Sequence, residues 1–306
     1  MRMTINSKKM RDQANRQVNA NVHLSHPDKI LYPDANITKL DLAHYYQKIE
    51  KWILPFIINR PLTLLRCPQG QMKKCFYQRH VTTKTKHVYA IHLTDKTSQS
   101  EPYLYIKNKW GLIELIQLDV LEIHPWSSRI DSIERPDFIT FDLDPGMNLE
   151  WKKVIEAAFL VKEHLKKIHL HSFVKTTGSK GLHVVVPIKR LYRWDKVKVF
   201  TQTFVNYLAM QNPSLFVAHM NKAKRTGKIF IDYLRNQRGA SSIAPYSTRM
   251  RRNASIATPL SWDELNVRIK SDTFTLKNLP KRFASLKRDP WENFYLLKQK
   301  LSLPVL

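Results

Sequence analysis

Ile139-Thr140-Phe141-Asp142-Leu143-Asp144-Pro145-Gly146 is the stretch on which the reading of this chain turns. Phe138–Leu143 has the composition of a strand, and proline followed by glycine ends it in a turn at Asp144-Pro145-Gly146. Residues two apart on a strand share a face, so Asp142 and Asp144 project together while Phe141 and Leu143 point into a core. Two carboxylates this close repel unless a cation lies between them, and oxygen-only ligation favours hard ions, Mg²⁺ or Mn²⁺. A strand end running into an Asx-type turn explains the pair equally well. A third acid favours the metal reading. In Lys228-Ile229-Phe230-Ile231-Asp232-Tyr233 a single Asp sits inside an otherwise apolar strand, where a charge is costly unless paired or metal-bound. Two acids on one strand and one on its neighbour form the donor set of a two-metal phosphoryl-transfer site, able to activate a 3′-hydroxyl and steady a leaving pyrophosphate. That the strands are neighbours is an assumption at this point.

The flanking elements set the fold class. Thr38 followed by Asp41 has the form of a capping box opening a helix over Lys39–Trp52. A strand follows at Leu62–Arg66, another at Tyr103–Lys107, a helix at Trp110–Leu118 and a strand at Glu122–His124. Beyond the acidic strand come a helix over Leu149–Ile168, strands at Phe173–Thr176 and His183–Pro187, a helix over Asp195–Gln211 and a strand at Ile229–Tyr233. The tail from Ser261 reads as mostly helical, with breaks at Pro280 and Pro290. This order predicts an α+β fold with mixed and antiparallel sheets flanked by helices, not a regular βαβ series. Residues 1–21 read as a flexible basic leader, and 22–295 as the main domain. Within it an N-terminal lobe covers about 22–120 and a catalytic lobe about 121–260, with the helical part running over 261–306.

Composition narrows the partner. Lys and Arg number 51 against 25 acids in 306 residues, a formal charge of +26, while 43% hydrophobic and 10% aromatic residues are enough for a sizeable core. The basic residues are spread along the chain rather than gathered on one amphipathic helix, which favours a polyanion such as nucleic acid over a membrane surface. No stretch approaches 18 uninterrupted apolar residues, so the expected location is the cytoplasm, associated with the nucleoid. Cys67 and Cys75 are too few for a disulfide framework or a four-cysteine zinc site and suit a reducing compartment.

Thr177-Gly178-Ser179-Lys180-Gly181-Leu182-His183 joins two apolar strands with glycines, hydroxyls, amides and a lysine, all suited to phosphate oxygens. It lacks the order of a P-loop, and a plain hairpin turn is the competing reading. His183 could equally be a satisfied core histidine, and His124 alone reads as structural. Arg249, in Pro245-Tyr246-Ser247-Thr248-Arg249-Met250-Arg251-Arg252, is suited to neutralising a triphosphate.

Taken together, His26-Pro27-Asp28-Lys29, Leu121-Glu122-Ile123-His124-Pro125-Trp126, Phe141 to Gly146, Gly178 to His183, Asp232-Tyr233-Leu234-Arg235-Asn236 and Ala244 to Arg249 resemble the polymerase domain of bacterial ligase D, a primase-polymerase of the archaeo-eukaryotic primase superfamily. The resemblance runs from about Val22 to Trp291 in the family's order. It implies extension of broken DNA ends in non-homologous end joining and gap filling, by two ions, with Mn²⁺ favoured over Mg²⁺ and ribonucleotides over deoxyribonucleotides. Carried over by position, Asp142, Asp144 and Asp232 are similar to the family's catalytic metal ligands. His124, Thr177, Ser179, Lys180, His183, Arg235 and Arg249 fall where nucleotide contacts lie. His26, Lys29 and Lys39 match the pocket for the 5′-phosphate of a downstream strand, and Phe76 and Tyr77 match a pair that stacks on bases. The implied partners are DNA ends, gaps and overhangs with a 5′-phosphate, NTPs and dNTPs, and a separate ATP-dependent ligase and Ku.

The chain departs from the family in carrying His26 where Asn is frequent and Thr177 where Ser is common. Its length and its own Met1 suggest a stand-alone polymerase rather than a piece of a larger ligase. Two other functions fit less of the sequence. A non-catalytic end-bridging module gains nothing from three acids, and a metal-dependent nuclease leaves Lys180 and Arg249 without a triphosphate.

Overall fold

Thr38 caps its helix as the sequence predicts: its hydroxyl accepts from Asp41 N–H at 3.1 Å, while the Asp41 carboxylate accepts from Thr38 N–H at 2.8 Å. The computed structural model describes residues 22–80, 85–93, 101–219 and 225–301; the expected leader over 1–21 lies outside them. The described residues divide into two compact units, 22–123 with 250–254, and 124–249 with 255–301.

The first unit opens with a small antiparallel pair, β1 (Ile30–Tyr32) and β2 (Ile37–Thr38), ahead of α1 (Lys39–Lys48). The single helix expected over Lys39–Trp52 is two helices. Ile49 adopts ψ 10°, and its carbonyl accepts from the N–H groups of both Trp52 and Ile53 to seed α2 (Glu50–Ile57). The break turns Ile53, Phe56 and Ile57 inward. β3 (Leu62–Arg66) pairs antiparallel with β4 (Phe76–Gln78), then β5 (Val88–Leu93) with β6 (Glu101–Ile106), followed by α3 (Lys109–Gln117) and β7 (Val120–Pro125), which joins β3. The β3–β4 register bears on the two cysteines, which the sequence reads as suited to a reducing compartment. Arg66 lies opposite Phe76, so the next rung sets Cys67 against Cys75, and the two form a disulfide with Cα atoms 4.4 Å apart.

The second unit is built on a six-stranded sheet. In chain order its elements are β8 (Phe138–Pro145), α4 (Trp151–Lys167), β9 (Phe173–Thr176), β10 (Leu182–Pro187), α5 (Trp194–Gln211), β11 (Phe216–Val217), β12 (Ile229–Asp232) and β13 (Pro259–Leu260), with α6 (Leu279–Ser285) beyond. The strand order is β11-β12-β8-β10-β9-β13, antiparallel except for the β11–β12 pair, so the sheet is mixed as expected. One face carries Phe141, Leu143, Val174, Val184 and Ile231, all fully buried against the apolar stripes of α4 and α5, among them Val161, Leu165, Phe204 and Leu208.

The C-terminal part is not mostly helical. It contains the seven-residue α6 and isolated turns, and its large side chains serve as plugs: Trp291 and Phe294 stack at 5.1 Å and are buried, and the Trp291 indole donates to the Val174 carbonyl. Pro280 sits at the start of α6 and Pro290 follows it, and neither tolerates a longer helix.

β12 ends at Asp232, opposite Asp142, which leaves the next edge of β8 without a strand partner. Asn236 takes that role. Its side-chain oxygen accepts from Thr140 N–H and its amide donates to Thr140 C=O, both at 2.8 Å and fully buried. Asn236→Ala leaves both backbone groups unsatisfied and is expected to lower unfolding stability by about 2–4 kcal/mol, measured by denaturant titration; a loss below about 0.5 kcal/mol would mean that other groups or water replace the clamp.

Candidate active site

The strand adjacency assumed from sequence is met. On the face opposite the core, Asp232 of β12 pairs with Asp142 of β8, Asp142 with His183 of β10, and His183 with Lys175 of β9. Directly opposed residues share a face, so four ionisable side chains form one row across four strands. Asp144, two residues past Asp142, stands on the same face beside Phe230.

The row is electrostatically interlocked. Asp142 Oδ1 is 3.2 Å from His183 Nε2, and Oδ2 is 3.2 Å from Arg235 Nε. Arg235 Nε also lies 3.3 Å from Asp232 Oδ2, and Asp232 Oδ1 accepts from Leu234 N–H, which fixes the turn that aims the guanidinium. Burial opposes charge on Asp142, but His183, Arg235 and Lys175 together hold its carboxyl well below the usual range. Asp144 goes the other way: burial, then Asp142 and Asp232, push it up to about 6. Burial and Asp142 also raise Asp232 against the pull of Arg235. Burial, with help from Lys175, pushes His183 down to about 4, so its ring is neutral near pH 7.

These carboxylates suit a hard cation. Three acids lie within two rungs, burial and their mutual repulsion raise Asp144 and Asp232, and Arg235 bridges Asp142 and Asp232 as a cation would. Among the described residues no group of three or more His, Cys, Asp or Glu is arranged as a ligand set. The sequence reading places Arg235 among nucleotide contacts; in the structure its guanidinium lies on the acids themselves.

The glycine loop packs against the end of β8. A Cβ at Gly181 would lie 2.0 Å from the Leu143 carbonyl oxygen, and one at Gly178, whose φ is +66°, would lie 2.7 Å from Arg249 Cγ. The glycines therefore bring the loop against the residue between the two acids and bring Arg249 against the loop. The Thr177 hydroxyl, 3.0 Å from both the Gly181 carbonyl and Ser271 Oγ, also accepts from Ser179 and Gly181 N–H groups at 3.3 Å. Its observed bonds are spent on shaping the loop. Ser179 is half-buried, Lys180 exposed and Arg249 half-buried. His124 is half-buried at the fifth position of β7.

Lys175 escaped the sequence reading, although the signal that marked Asp232 was present: one charge inside the apolar strand Phe173–Thr176. It is 2% exposed, and burial pushes it down to about 7 despite Asp142.

The expected 5′-phosphate pocket lies wholly in the first unit. His26 sits at φ +52°, a left-handed region that histidine tolerates, with its carbonyl accepting from Lys29 N–H in a turn. Lys29 Nζ is 2.8 Å from Asp119 Oδ2, and Lys39 Nζ is 3.1 Å from Asp119 Oδ1 and 2.7 Å from the Gln117 carbonyl. Burial lowers the Lys39 ammonium, with Asp119 opposing. Asp119, unnoticed in the sequence, is therefore the acid around which both lysines are organised. Phe76 and Tyr77 are exposed by 43% and 63%, with the Arg66 guanidinium 5.5 Å above the Phe76 ring.

Comparison with known proteins identifies the family and the fold. The family described as LigD, primase-polymerase domain, matches residues 38–291. The multifunctional non-homologous end joining protein LigD of Pseudomonas aeruginosa is 35% identical over 94% of this chain and 34% of its own length. The bifunctional LigD of Bacillus subtilis is 28% identical over 88% of this chain and 43% of its own length. This chain thus spans well under half of these relatives. Among solved structures, the polymerase domain from Mycobacterium tuberculosis ligase D in complex with DNA superposes with a TM-score of 0.84 at 27% identity, covering 92% of this chain and 100% of that one. No helix among the described residues is long and apolar enough to cross a membrane. With a family match over residues 38–291 and a relative 35% identical over 94% of this sequence, the chain belongs to the LigD primase-polymerase domain family.

Proposed function

We propose that this protein is a nucleotidyltransferase that adds nucleotides, ribonucleotides in preference, to the 3′-hydroxyl of DNA ends and gaps during non-homologous end joining. The observation that carries the reading is the register Asp232–Asp142–His183 with Asp144 two residues on, beside a donor-rich loop. Asp142, Asp144 and Asp232 would hold two divalent ions, Mn²⁺ or Mg²⁺. Bound there, such ions supply Lewis-acid stabilisation of phosphoryl oxygens and acidify an attacking hydroxyl. The chain's own residues do the rest. His183 donates from Nε2 to Asp142 and fixes that carboxylate. Arg235 neutralises Asp142 and Asp232 and gives way to, or shares them with, the incoming cations. The loop amides, Ser179, Lys180 and Arg249 bind and orient the triphosphate, and His124 contacts the nucleotide. In the first unit, Lys29 and Lys39 take the 5′-phosphate, and Phe76 and Tyr77 stack on exposed bases. Separate ligase and Ku proteins would complete the joining reaction.

The test is extension of a labelled primer on gapped, overhanging and blunt DNA, with NTPs against dNTPs and Mn²⁺ against Mg²⁺. Lengthened primers, lost with Asp142→Ala, are expected. Shortened primers would make the site a nuclease, and extension surviving Asp142→Ala would overturn the site. Binding without any reaction would leave an end-bridging module.

A further inference from the structure

The glycine loop is held from one side by a serine that the proposed chemistry does not use. Ser255 is 1% exposed, and its hydroxyl donates to the Gly178 carbonyl at 2.5 Å. Among the described residues no other group donates to that carbonyl. The Ser255 backbone carbonyl in turn accepts from Arg249 N–H at 2.8 Å. One residue thus joins the two elements read as triphosphate contacts, the loop and Arg249. Ser255 is itself fixed, because it pairs with Thr275 and the next residue, Ile256, donates its N–H to the Phe274 carbonyl at 2.8 Å. Gly178 needs such a hold. It sits at φ +66°, and glycine adopts either sign of φ with similar ease, so its own backbone does not choose the orientation of the peptide that follows. The Gly178 carbonyl and the Ser179 N–H belong to one trans peptide and point opposite ways. With the carbonyl tied to Ser255, that N–H lies on the inner side of the loop, 3.3 Å from Thr177 Oγ1. Lys180 follows, exposed, with an N–H that has no acceptor among the described residues.

We propose that Ser255 is a positioning residue for the triphosphate: its hydroxyl locks the Gly178–Ser179 peptide with the N–H, not the carbonyl, on the ligand's side, and ties the loop to the segment that carries Arg249. The inference rests on the reading of the loop and Arg249 as nucleotide contacts. Without the hydroxyl the Gly178 carbonyl is left buried and unpaired, a state that a flip of the peptide relieves. The flip sets a carbonyl oxygen among donors suited to an anion, where it repels phosphate. Ser271 differs. Its hydroxyl reaches the Gly181 carbonyl at 2.7 Å, but Thr177 Oγ1 is a second donor to the same oxygen at 3.0 Å. The Gly178 carbonyl has no such substitute. The loss therefore falls on the nucleotide, while Lys29 and Lys39, which lie in the first unit, are untouched.

The experiment uses the full chain, gapped DNA with a 5′-phosphate, Mn²⁺ and ATP as the varied nucleotide, with primer-extension rates and affinity for the gap read separately. Ser255→Ala is expected to raise the KM for ATP about tenfold, with kcat and the affinity for the gap within about twofold of wild type. Ser255→Thr keeps the hydroxyl and adds a methyl to a buried site, so it is expected to melt lower yet to hold the wild-type KM. These opposite responses of KM and melting temperature separate positioning from packing. Ser255→Cys, close in size but a weak donor, is expected to lie between, and it decides the question should the alanine variant not fold. A KM within about twofold of wild type for Ser255→Ala, or for Ser255→Cys in its place, overturns the proposal. So does a rise that Ser255→Thr shares. Lys180→Ala and Arg249→Ala test the underlying reading. If neither raises the KM for ATP, the loop is not a triphosphate site and that reading fails; if both do while Ser255→Ala does not, the positioning role alone fails.

Discussion

Asp144→Asn is expected to abolish primer extension and, in the same molecule, to stabilise the metal-free protein above pH 6. The two effects have one cause. Burial first, then the neighbouring Asp142 and Asp232, push the Asp144 carboxyl up to about 6, against about 3.9 in an unfolded chain. The folded protein therefore binds this proton more tightly than the unfolded chain does. The contribution of Asp144 is fully favourable below about pH 4 and is lost as pH rises through about 6, at a cost of about 2–3 kcal/mol. Asparagine keeps the shape and removes the charge. The melting temperatures of variant and wild type should coincide near pH 4, diverge between pH 4 and 6, and differ by about 5 °C at pH 8 in chelator. Adding Mn²⁺ should raise the wild type by mass action and leave the variant nearly unmoved. Loss of a ligand worth several kcal/mol of charge stabilisation lowers extension by about a thousandfold. A variant less stable than wild type at pH 8 would mean that Arg235 already compensates Asp144, and retained extension would remove Asp144 from the site.

Much of this site was legible because strand periodicity is simple. Asp142 and Asp144 had to share a face once Phe141 and Leu143 were committed to the core, and the structure places those two apolar residues there. Asp232 is conspicuous as a charge in an apolar strand, but only the register identifies its partner strand and sets it opposite Asp142. Long-range pairing of this kind is not encoded locally. Lys175 carries the same signal as Asp232, one charge in an apolar strand, but among 51 Lys and Arg a buried lysine has no sequence mark that separates it from the solvated ones. The misreadings are local as well. An apolar spacing cannot reveal that Ile49 breaks a helix or that Trp291 and Phe294 plug the end of a sheet. Two cysteines eight residues apart become partners because β3 and β4 are antiparallel neighbours. Asp119 stayed hidden because its role depends on φ +61°, a backbone state that composition does not disclose.

That backbone state underlies the second large effect. Asp119 is pinned from both sides, donating its N–H to the Ile116 carbonyl and accepting from Cys67 N–H. Its carboxylate is therefore a fixed post holding Lys29 at 2.8 Å and Lys39 at 3.1 Å. Two lysines against one acid leave a net positive charge, and Arg66 adds to it through the field it exerts on Lys39. The two lysines differ in access: the Lys29 side chain is 28% exposed and that of Lys39 3%. A phosphate arriving from solvent meets Lys29 first. Lys29→Ala removes one charge-assisted contact worth about 1.5–3 kcal/mol, so affinity for a gap bearing a 5′-phosphate should fall about 10–100-fold. Affinity for the same gap ending in a 5′-hydroxyl should change by less than about twofold, and the salt dependence on the phosphorylated gap should weaken by about one counterion. Lys39→Ala should instead lower folding stability by about 3–5 kcal/mol, because Lys39 is buried and also donates to the Gln117 carbonyl. Equal losses for Lys29→Ala on both gaps would reduce Lys29 to general electrostatics, and no loss on either would place the phosphate elsewhere on the protein.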